Sequence, residues 1–468
     1  MHFLLTFTQW FYPLYFVGLN VGYLSLNVIA LFALRRLMQA RAMQSLPPIY
    51  TDFELPVTII VPAHNEAVTI GDSLRALLQL KYPQYEIIVV NDGSSDGTLD
   101  VLKDEFSLKP FPEAYRIRVP VKPIRGIYRS TVYHRLRVID KENGGKADAL
   151  NAGLNAARYP IFCGIDADSI LARDSLDKVI QPFMEDPSTI AAGGTIRIAN
   201  GCEVSHGFIK RIGLPRNMLA VVQIVEYLRA FLFGRLGWSP LNALLIISGA
   251  FGLFRKEAVI AAGGYRTDTV GEDMELVARL HREMRFAKQP YRITFVPDPI
   301  CWTEAPEDWG TLCRQRMRWQ RGLAESLSDN WTLCFNRRGG AVGWLAFPFL
   351  LIFELFGPLI EISGFAFFLV AALFGWVSYQ AFAAFLALAV GLGILLSVAA
   401  LLLEEMSFHV YPRLGQTCTL LLAAIAENLG YRQILAVCRL IGLLKWRFGA
   451  KSQWGEMRRR GAWSETPR

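Results

Sequence analysis

No Gly-x-Gly-x-x-Gly fingerprint follows a strand in this chain, and no Walker-type phosphate loop occurs in it. A nucleotide bound here must be held by acids and a metal ion rather than by a glycine cradle. Cysteine is sparse and scattered: the seven positions (163, 202, 301, 313, 334, 418 and 438) include no Cys-x-x-Cys pair and no Cys/His cluster of zinc spacing. That pattern argues against a structural zinc or a disulfide frame and points to a reducing compartment. Charged residues are scarce too, at 19%, while hydrophobic residues reach 52% and mean hydropathy is +0.27. The chain is too apolar for an ordinary soluble protein and too mixed to lie wholly in lipid. It is expected to be part membrane and part water-soluble domain.

The apolar residues are concentrated accordingly. Trp10 to Leu34 is one run, ended by Arg35, Arg36 and Arg41, and Gly343 to Leu403 is a longer one. Roughly 300 residues lie between them, enough for one sizeable domain. The first run is too long for a signal peptide and lacks a small-residue cleavage site, so it reads as a retained anchor. Arginines follow it, which places residue 36 onward in the cytoplasm. The net charge of +8 gathers at 35–41, 314–321 and 445–460, beside the apolar runs, which fits anionic lipid headgroups and not nucleic acid. From Gly343 to Val377 about 35 residues at ~1.5 Å each exceed a ~30 Å bilayer, so this part must tilt, kink at Pro358 or split. Further helices fit Ala381 to Leu403 and, more polar, Thr419 to Leu444. The basic tail calls for an even number of crossings after the soluble domain, and four is the favoured count of three or four. Glu354 and Glu361, costly in lipid, either line a pore or pack between helices.

Within the mixed region strand and helix signals alternate. "VTIIVPAHNE" and "YEIIVVNDGSSDGT" are β-branched runs ending in polar clusters, each followed by a helical pattern. A third strand is either "RIRVPV" or "RVIDKE"; "KADALNAGLNAA" is helical, and "PIFCGIDADS" is a fourth strand ending in acids. Such alternation builds a doubly wound parallel sheet, which binds ligands beyond the carboxyl ends of its strands. Here those ends are Ala63 to Glu66, Asn91 to Asp96, and Asp166 to Asp168.

Asp166 and Asp168 stand two apart, on one face of an extended segment, where both carboxylates can reach a divalent ion bridged to phosphate. Asp-x-Asp alone is common in solvated turns; its position at a strand end beside "NDGSSDG" favours the ligand reading. Lys146 opens a helix, where ammonium and helix terminus both favour an anion, although a solvated lysine at a cap is equally ordinary. Glu272 and Asp273 begin an amphipathic helix; acids there commonly serve the helix dipole, and one held near a hydroxyl can also act as general base.

The order "VPAHNE", "VNDGSSDGT", "GGKADALN", "DADS", "SGAFGLFRKEA", "GED", "QRMRW", then apolar helices, resembles the processive membrane synthases of glycosyltransferase family 2, and most of all the bacterial poly-N-acetylglucosamine synthases. The likeness spans roughly Pro56 to Leu327 plus the apolar segments. It implies an α/β nucleotide-diphospho-sugar transferase domain, a doubly wound mixed sheet embedded between transmembrane helices. It also implies that Glu66, Asp92, Lys146 and Asp148 meet the nucleotide sugar, with Asp92 at the uridine, and that Asp166 and Asp168 hold Mg2+ or Mn2+. Asp273, with Glu272 beside it, would be the base. Ser248 and Gly249 would line the acceptor end, and Gln315, Arg318 and Trp319 match a Gln-x-x-Arg-Trp signature on an interfacial helix. In "RQRMRWQRG" the outer arginines would remain lipid anchors, Arg318 would grip pyrophosphate bidentately, and Trp319 would offer a sugar a stacking face.

The expected division is an anchor over 1–45, a cytoplasmic transferase domain over 46–305, interfacial helices over 306–340, a channel-forming bundle over 341–445 and a basic tail over 446–468. The expected activity is processive, inverting polymerisation of a β-linked polysaccharide from a UDP-sugar, N-acetylglucosamine before glucose, at the inner (plasma) membrane. The partners are the donor, the growing glycan and the bilayer, with room for a small accessory membrane subunit or a second copy, and no nucleic acid. Single transfer to a lipid carrier is the alternative, and a non-enzymatic receptor on the same fold is a third class that the full set of acids argues against.

Overall fold

Buried β-branched runs become the middle of a sheet. The computed structural model describes residues 2–43, 54–205 and 207–449. Ten strands form one sheet in the order Leu108–Pro110, Ile124–Ser130, Leu136–Lys141, Tyr85–Asp92, Val57–Ala63, Ile161–Ile165, Phe251–Arg255, Thr189–Ile198, Arg292–Thr303, Ile170–Leu171. The four from Leu136–Lys141 to Ile161–Ile165 run parallel, whereas Phe251–Arg255 is antiparallel to both neighbours, so the sheet is mixed. Register brings the strand ends to one edge: Ala63 faces Asn91, Asp92 faces Lys141, and Ile60 faces Gly164.

The third strand is "RVIDK", not "RIRVPV": Leu136–Lys141 is buried throughout, while Val119 is the one buried residue of 116–121. A buried parallel position selects the run that can be apolar on both faces. The segment before it forms an antiparallel edge pair, Leu108–Pro110 with Ile124–Ser130.

Among the described residues three helices are long and apolar enough to cross a membrane, Phe7–Gln39, Tyr379–Ser407 and Leu414–Arg447, and a bent pair, Val342–Leu355 with Gly357–Leu373, qualifies jointly at an angle of 46°. The bend falls at Gly357-Pro358, where proline removes a backbone donor and crowds the preceding turn. Leu414–Arg447 is not one straight rod, because Leu429 (φ −109°, ψ 71°) and Gly430 (φ 111°) leave helical geometry. Its first half packs on the helices Met218–Glu226 and Leu392–Ser407, and its second on Trp309–Asp329 and Gly357–Leu373. Both halves therefore rest on elements that also wall the sheet domain.

The far ends of the other helices gather elsewhere: Tyr12 of the N-terminal helix lies tilted against Phe367, and Phe16 meets Phe365 edge-on. The near ends are tied to the sheet, with Ala30 and Leu34 in its core and Glu404 paired to Arg197 at 2.8 Å. Cys313 and Cys438 are joined, with Cα atoms 5.4 Å apart, contrary to the expectation of no disulfide. They lie 125 residues apart on two helices packed side by side, so no local spacing announces them. Most of the basic tail, 450–468, falls outside the described residues.

Candidate active site

One cavity of about 1500 Å³ starts at the strand ends and continues among the apolar helices. Its sheet end is lined by His64, Glu66, Asp92, Lys146 and Asp166, its middle by Ser248, Gly249, Glu272, Asp273, Gln315, Arg318 and Trp319, and its far end by Tyr23, Glu354, Glu361 and Arg439. Asp148 and Asp168, both buried, are absent from that wall.

Lys146 opens the helix Lys146–Ala156, and its ammonium sits among the acids: 2.5 Å from Asp166, 3.6 Å from Glu272 and 3.2 Å from the carbonyl of Gly249. Burial opposes this charge, but Asp166, Glu272 and Asp273 outweigh burial and hold the ammonium well above the ordinary lysine range. Burial pushes the Glu272 carboxyl up, against the pull of Lys146 and with the help of its neighbour Asp273. The cluster is a cation held by carboxylates at the mouth of parallel strands.

Asp92 is buried and accepts hydrogen bonds from Lys141 at 2.6 Å and from the amides of Gly144 and Gly145 at 2.9 and 2.7 Å. Its carboxylate organises the Gly-Gly-Lys turn that presents Lys146. Asp148 lies on the other side of Lys141, also at 2.6 Å, and takes the amide of Lys122. Lys141 has no apolar-pattern or motif signal; only the sheet register, which seats it opposite Asp92, makes it the buried link between two acids.

Asp273 lies at the start of Glu272–Phe286, where its carboxylate accepts the amides of Gly249 at 2.9 Å and Met274 at 2.8 Å. The Ser248–Gly249 turn can come this close because residue 249 lacks a side chain: a Cβ there would stand 3.0 Å from the Lys146 ammonium and 3.3 Å from Asp273. Gly271 meets Gly322 of the helix Trp309–Asp329 in the same way, backbone on backbone, and so sets Asp273 against the Gln-x-x-Arg-Trp helix. Arg235, which nothing in the sequence singled out, faces Asp273 across the cavity; burial pulls its guanidinium down to about 10, against the pull of Asp273.

The four arginines of "RQRMRWQRG" divide by helix face. Arg314 is exposed and bonds Thr311. Arg316 is buried, pairs with Glu226 at 2.8 Å and lies 4.1 Å over the Trp319 ring, so it is a paired cation set into the cavity wall. Arg318 and Trp319 face the cavity. Arg321 pairs with Glu325 at 2.7 Å, and Glu325 in turn holds Thr269 and Val270 just before Asp273. Arg321, expected as a lipid anchor, thus buttresses the loop that leads into Asp273. Phe231 leans on Trp319 at 5.6 Å, so Arg316 and Phe231 together limit which part of the indole is open to a ligand. Glu354 meets Arg439 at 2.7 Å and Tyr23 while lining the cavity, so it both packs between helices and faces the space they enclose.

The sequence family described as Glycosyl transferase family 2 matches residues 58–260, and that described as Glycosyl transferase family group 2 matches 161–396, half of the chain. The chain belongs to glycosyltransferase family 2. Poly-beta-1,6-N-acetyl-D-glucosamine synthase of Staphylococcus aureus is 33% identical over 284 residues, 60% of this chain and 58% of the relative. The synthase of the same name from Staphylococcus epidermidis is 31% identical over 278 residues, 59% and 57%. The transferase thus matches under two thirds of the length of these curated relatives. Among solved structures, the mannosyltransferase PcManGT from Pyrobaculum calidifontis, in complex with GDP-Man and Mn2+, aligns with a TM-score of 0.52 at 20% identity, over 90% of this chain and 99% of that one. That likeness establishes a shared nucleotide-sugar transferase fold with a mixed sheet.

Proposed function

We propose that this glycosyltransferase is an inverting, processive membrane synthase that polymerises a β-linked polysaccharide from a UDP-sugar and passes the product across the membrane. The observation that carries this reading is the single cavity running from the Lys146–Asp166 cluster past Asp273 and Trp319 to side chains of membrane-grade helices. An enzyme that released each product to the cytoplasm would have no use for such a continuation. The likeness to poly-beta-1,6-N-acetyl-D-glucosamine synthases supports UDP-N-acetylglucosamine as donor, with UDP-glucose next.

Among the described residues no group of three or more Asp, Glu, His or Cys side chains converges as a metal cage. The donor set nevertheless fits Mg2+ or Mn2+, which are commonly held by one or two carboxylates together with substrate phosphates. Asp166, on the cavity wall and already facing a cation at 2.5 Å, would supply those oxygens, with Asp168, buried behind that wall, as the second carboxylate. When bound, the ion neutralises the departing diphosphate. Lys146 adds a second positive charge at that end, presented by the turn that Asp92 organises. Asp273 takes the proton from the acceptor hydroxyl as its oxygen bonds the anomeric carbon and the bond from that carbon to the diphosphate breaks on the opposite face, which inverts the centre. The amides of Gly249 and Met274 orient the Asp273 carboxylate for this step. Arg318 grips the diphosphate, and Trp319 guides the new chain end out of the site.

The proposal carries a topology that the packing supports. The N-terminal helix enters, Gly357–Leu373 leaves, Tyr379–Ser407 returns, and the broken segment Leu414–Arg447 stays on the catalytic side against the interfacial helices. That leaves two crossings after the catalytic domain, fewer than the four favoured from the sequence but still an even number, with the domain and the basic tail in the cytoplasm of the inner membrane.

The deciding experiment supplies membranes holding the enzyme with a panel of labelled UDP-sugars, sizes the products and digests them with linkage-specific hydrolases. A ladder of long β-linked glycan from one donor is expected. A single sugar on a lipid would replace this reading with transfer to a lipid carrier.

A further inference from the structure

Beyond the large cavity, toward the far ends of the helices, lies a second space of about 10 Å³, room for about one water. Three residues line both spaces: Leu19 of the N-terminal helix, Glu361 of Gly357–Leu373 and Arg432 at the start of the last helix. They are therefore the partition between the two. We propose that Leu19, Glu361 and Arg432 form the gate through which the growing glycan leaves the active-site cavity. This rests on the processive reading above.

The chemistry at the partition selects a neutral, hydroxyl-rich chain. No described side chain donates a hydrogen bond to the Glu361 carboxylate. The charges that face it are Arg432, Arg439, Glu354 and Arg229, two acids and three guanidinium groups in all when Glu361 itself is included. Glu361 can accept from sugar O–H and amide N–H groups, and Arg432 can donate to ring and carbonyl oxygens, so the pair replaces water that a pyranose loses on entering the narrow part. A uniformly charged chain would be held by one member and repelled by the other. Leu19 closes the third side with an apolar surface that seals while no sugar is present.

The gate also has a movable side. Arg432 follows directly on the break at Leu429 and Gly430, and its guanidinium bonds Asn428 across that break at 2.9 Å. Gly430 holds φ at 111° with no atom within 4 Å of where a Cβ would stand, so backbone conformation and not crowding requires glycine there. Release of the Arg432–Asn428 bond lets the guanidinium swing on its own side chain while the helix Arg432–Arg447 stays packed on Trp309–Asp329.

The test uses the full chain in proteoliposomes with a labelled nucleotide-sugar donor, and it measures the rate of first transfer to a short acceptor separately from product length. Glu361→Leu removes the acceptor oxygens, and Leu19→Trp fills the opening. Each is expected to shorten the median product at least fivefold while first transfer stays within twofold. Leu24→Trp, on the 42% exposed outer side of the same helix, is expected to leave length unchanged. Full-length product from both Glu361→Leu and Leu19→Trp overturns the gate and leaves processive synthesis standing. If Glu361→Leu also loses first transfer, the length made by Leu19→Trp decides alone. A wild-type enzyme that adds only one sugar overturns the processive reading, and the gate with it.

Discussion

Gly322→Ala tests whether the position of Asp273 is set by helix contact. The new Cβ would stand 2.9 Å from the Cα of Gly271 and 3.1 Å from its nitrogen. Carbon atoms rest at about 3.5 to 4.0 Å, so the two backbones must part by about 0.5 to 1 Å, and no rotamer change relieves it. Overpacking of this kind costs about 1 to 3 kcal/mol, while alanine in place of a helix-interior glycine returns about 1 kcal/mol. The net change in stability is then only about 0 to 2 kcal/mol. Activity is more exposed, because Asp273 follows Gly271 by two residues and a misplacement of about 1 Å can cost on the order of 100-fold. Purified enzyme is expected to melt close to wild type and to lose at least tenfold in nucleotide release with donor and acceptor, by about 1.4 kcal/mol of barrier per factor of ten. Gly415→Ala, with no atom within 4 Å of its Cβ, is the control and should change neither quantity. Wild-type turnover in Gly322→Ala at normal abundance would refute the idea that this glycine contact positions Asp273.

Chelation of divalent ions, or Asp168→Asn, is expected to abolish transfer while the protein stays folded in the membrane; full activity in excess chelator would remove the metal assignment. Arg318→Lys should lower transfer on the order of tenfold or more, for a bidentate contact of about 1.5 to 3 kcal/mol that an ammonium cannot reproduce. Arg321→Lys can keep its pair with Glu325 and should do little, whereas Trp319→Ala should shorten polymer; equal behaviour of all three at equal abundance would return this stretch to a purely structural role. His281, buried between the Tyr291 hydroxyl and the Leu244 carbonyl, has its pKa lowered by burial to about 4. Below the unfolded value of about 6.5 the unfolded chain binds the extra proton, so stability falls as pH drops from there toward 4, by about 2 kcal/mol at pH 5. Thermal melts across pH 5 to 7 should show this slope, and His281→Gln should flatten it.

The strands and their polar ends were legible because a parallel strand buried on two faces must be apolar along its length, and that is a property of neighbouring residues. The cluster at 166, 272 and 273 was likewise legible as chemistry at strand and helix ends, before any distance was known. The choice between "RIRVPV" and "RVIDKE" was not, since both have strand-like composition and only pairing with Tyr85–Asp92 separates them. Asp148 carries the same motif signal as Lys146, yet side-chain direction around the first helical turn sends one to Lys141 and the other into the cavity.

By itself the sequence determined a mixed α/β domain between apolar helices, the acids at its strand ends, and the Gln-x-x-Arg-Trp stretch just ahead of the long apolar block. Tertiary structure alone decided the rest, because the deciding partners are far apart in the chain. Arg197 finds Glu404 across 207 positions and Glu226 finds Tyr431 across 205. The same long-range packing assigned the four arginines of "RQRMRWQRG" to four different surroundings. It also packed the second half of Leu414–Arg447 on Trp309–Asp329, a contact that length and hydropathy do not announce. Hydropathy records what a segment tolerates around it, and only the neighbours that occupy that space determine where it lies.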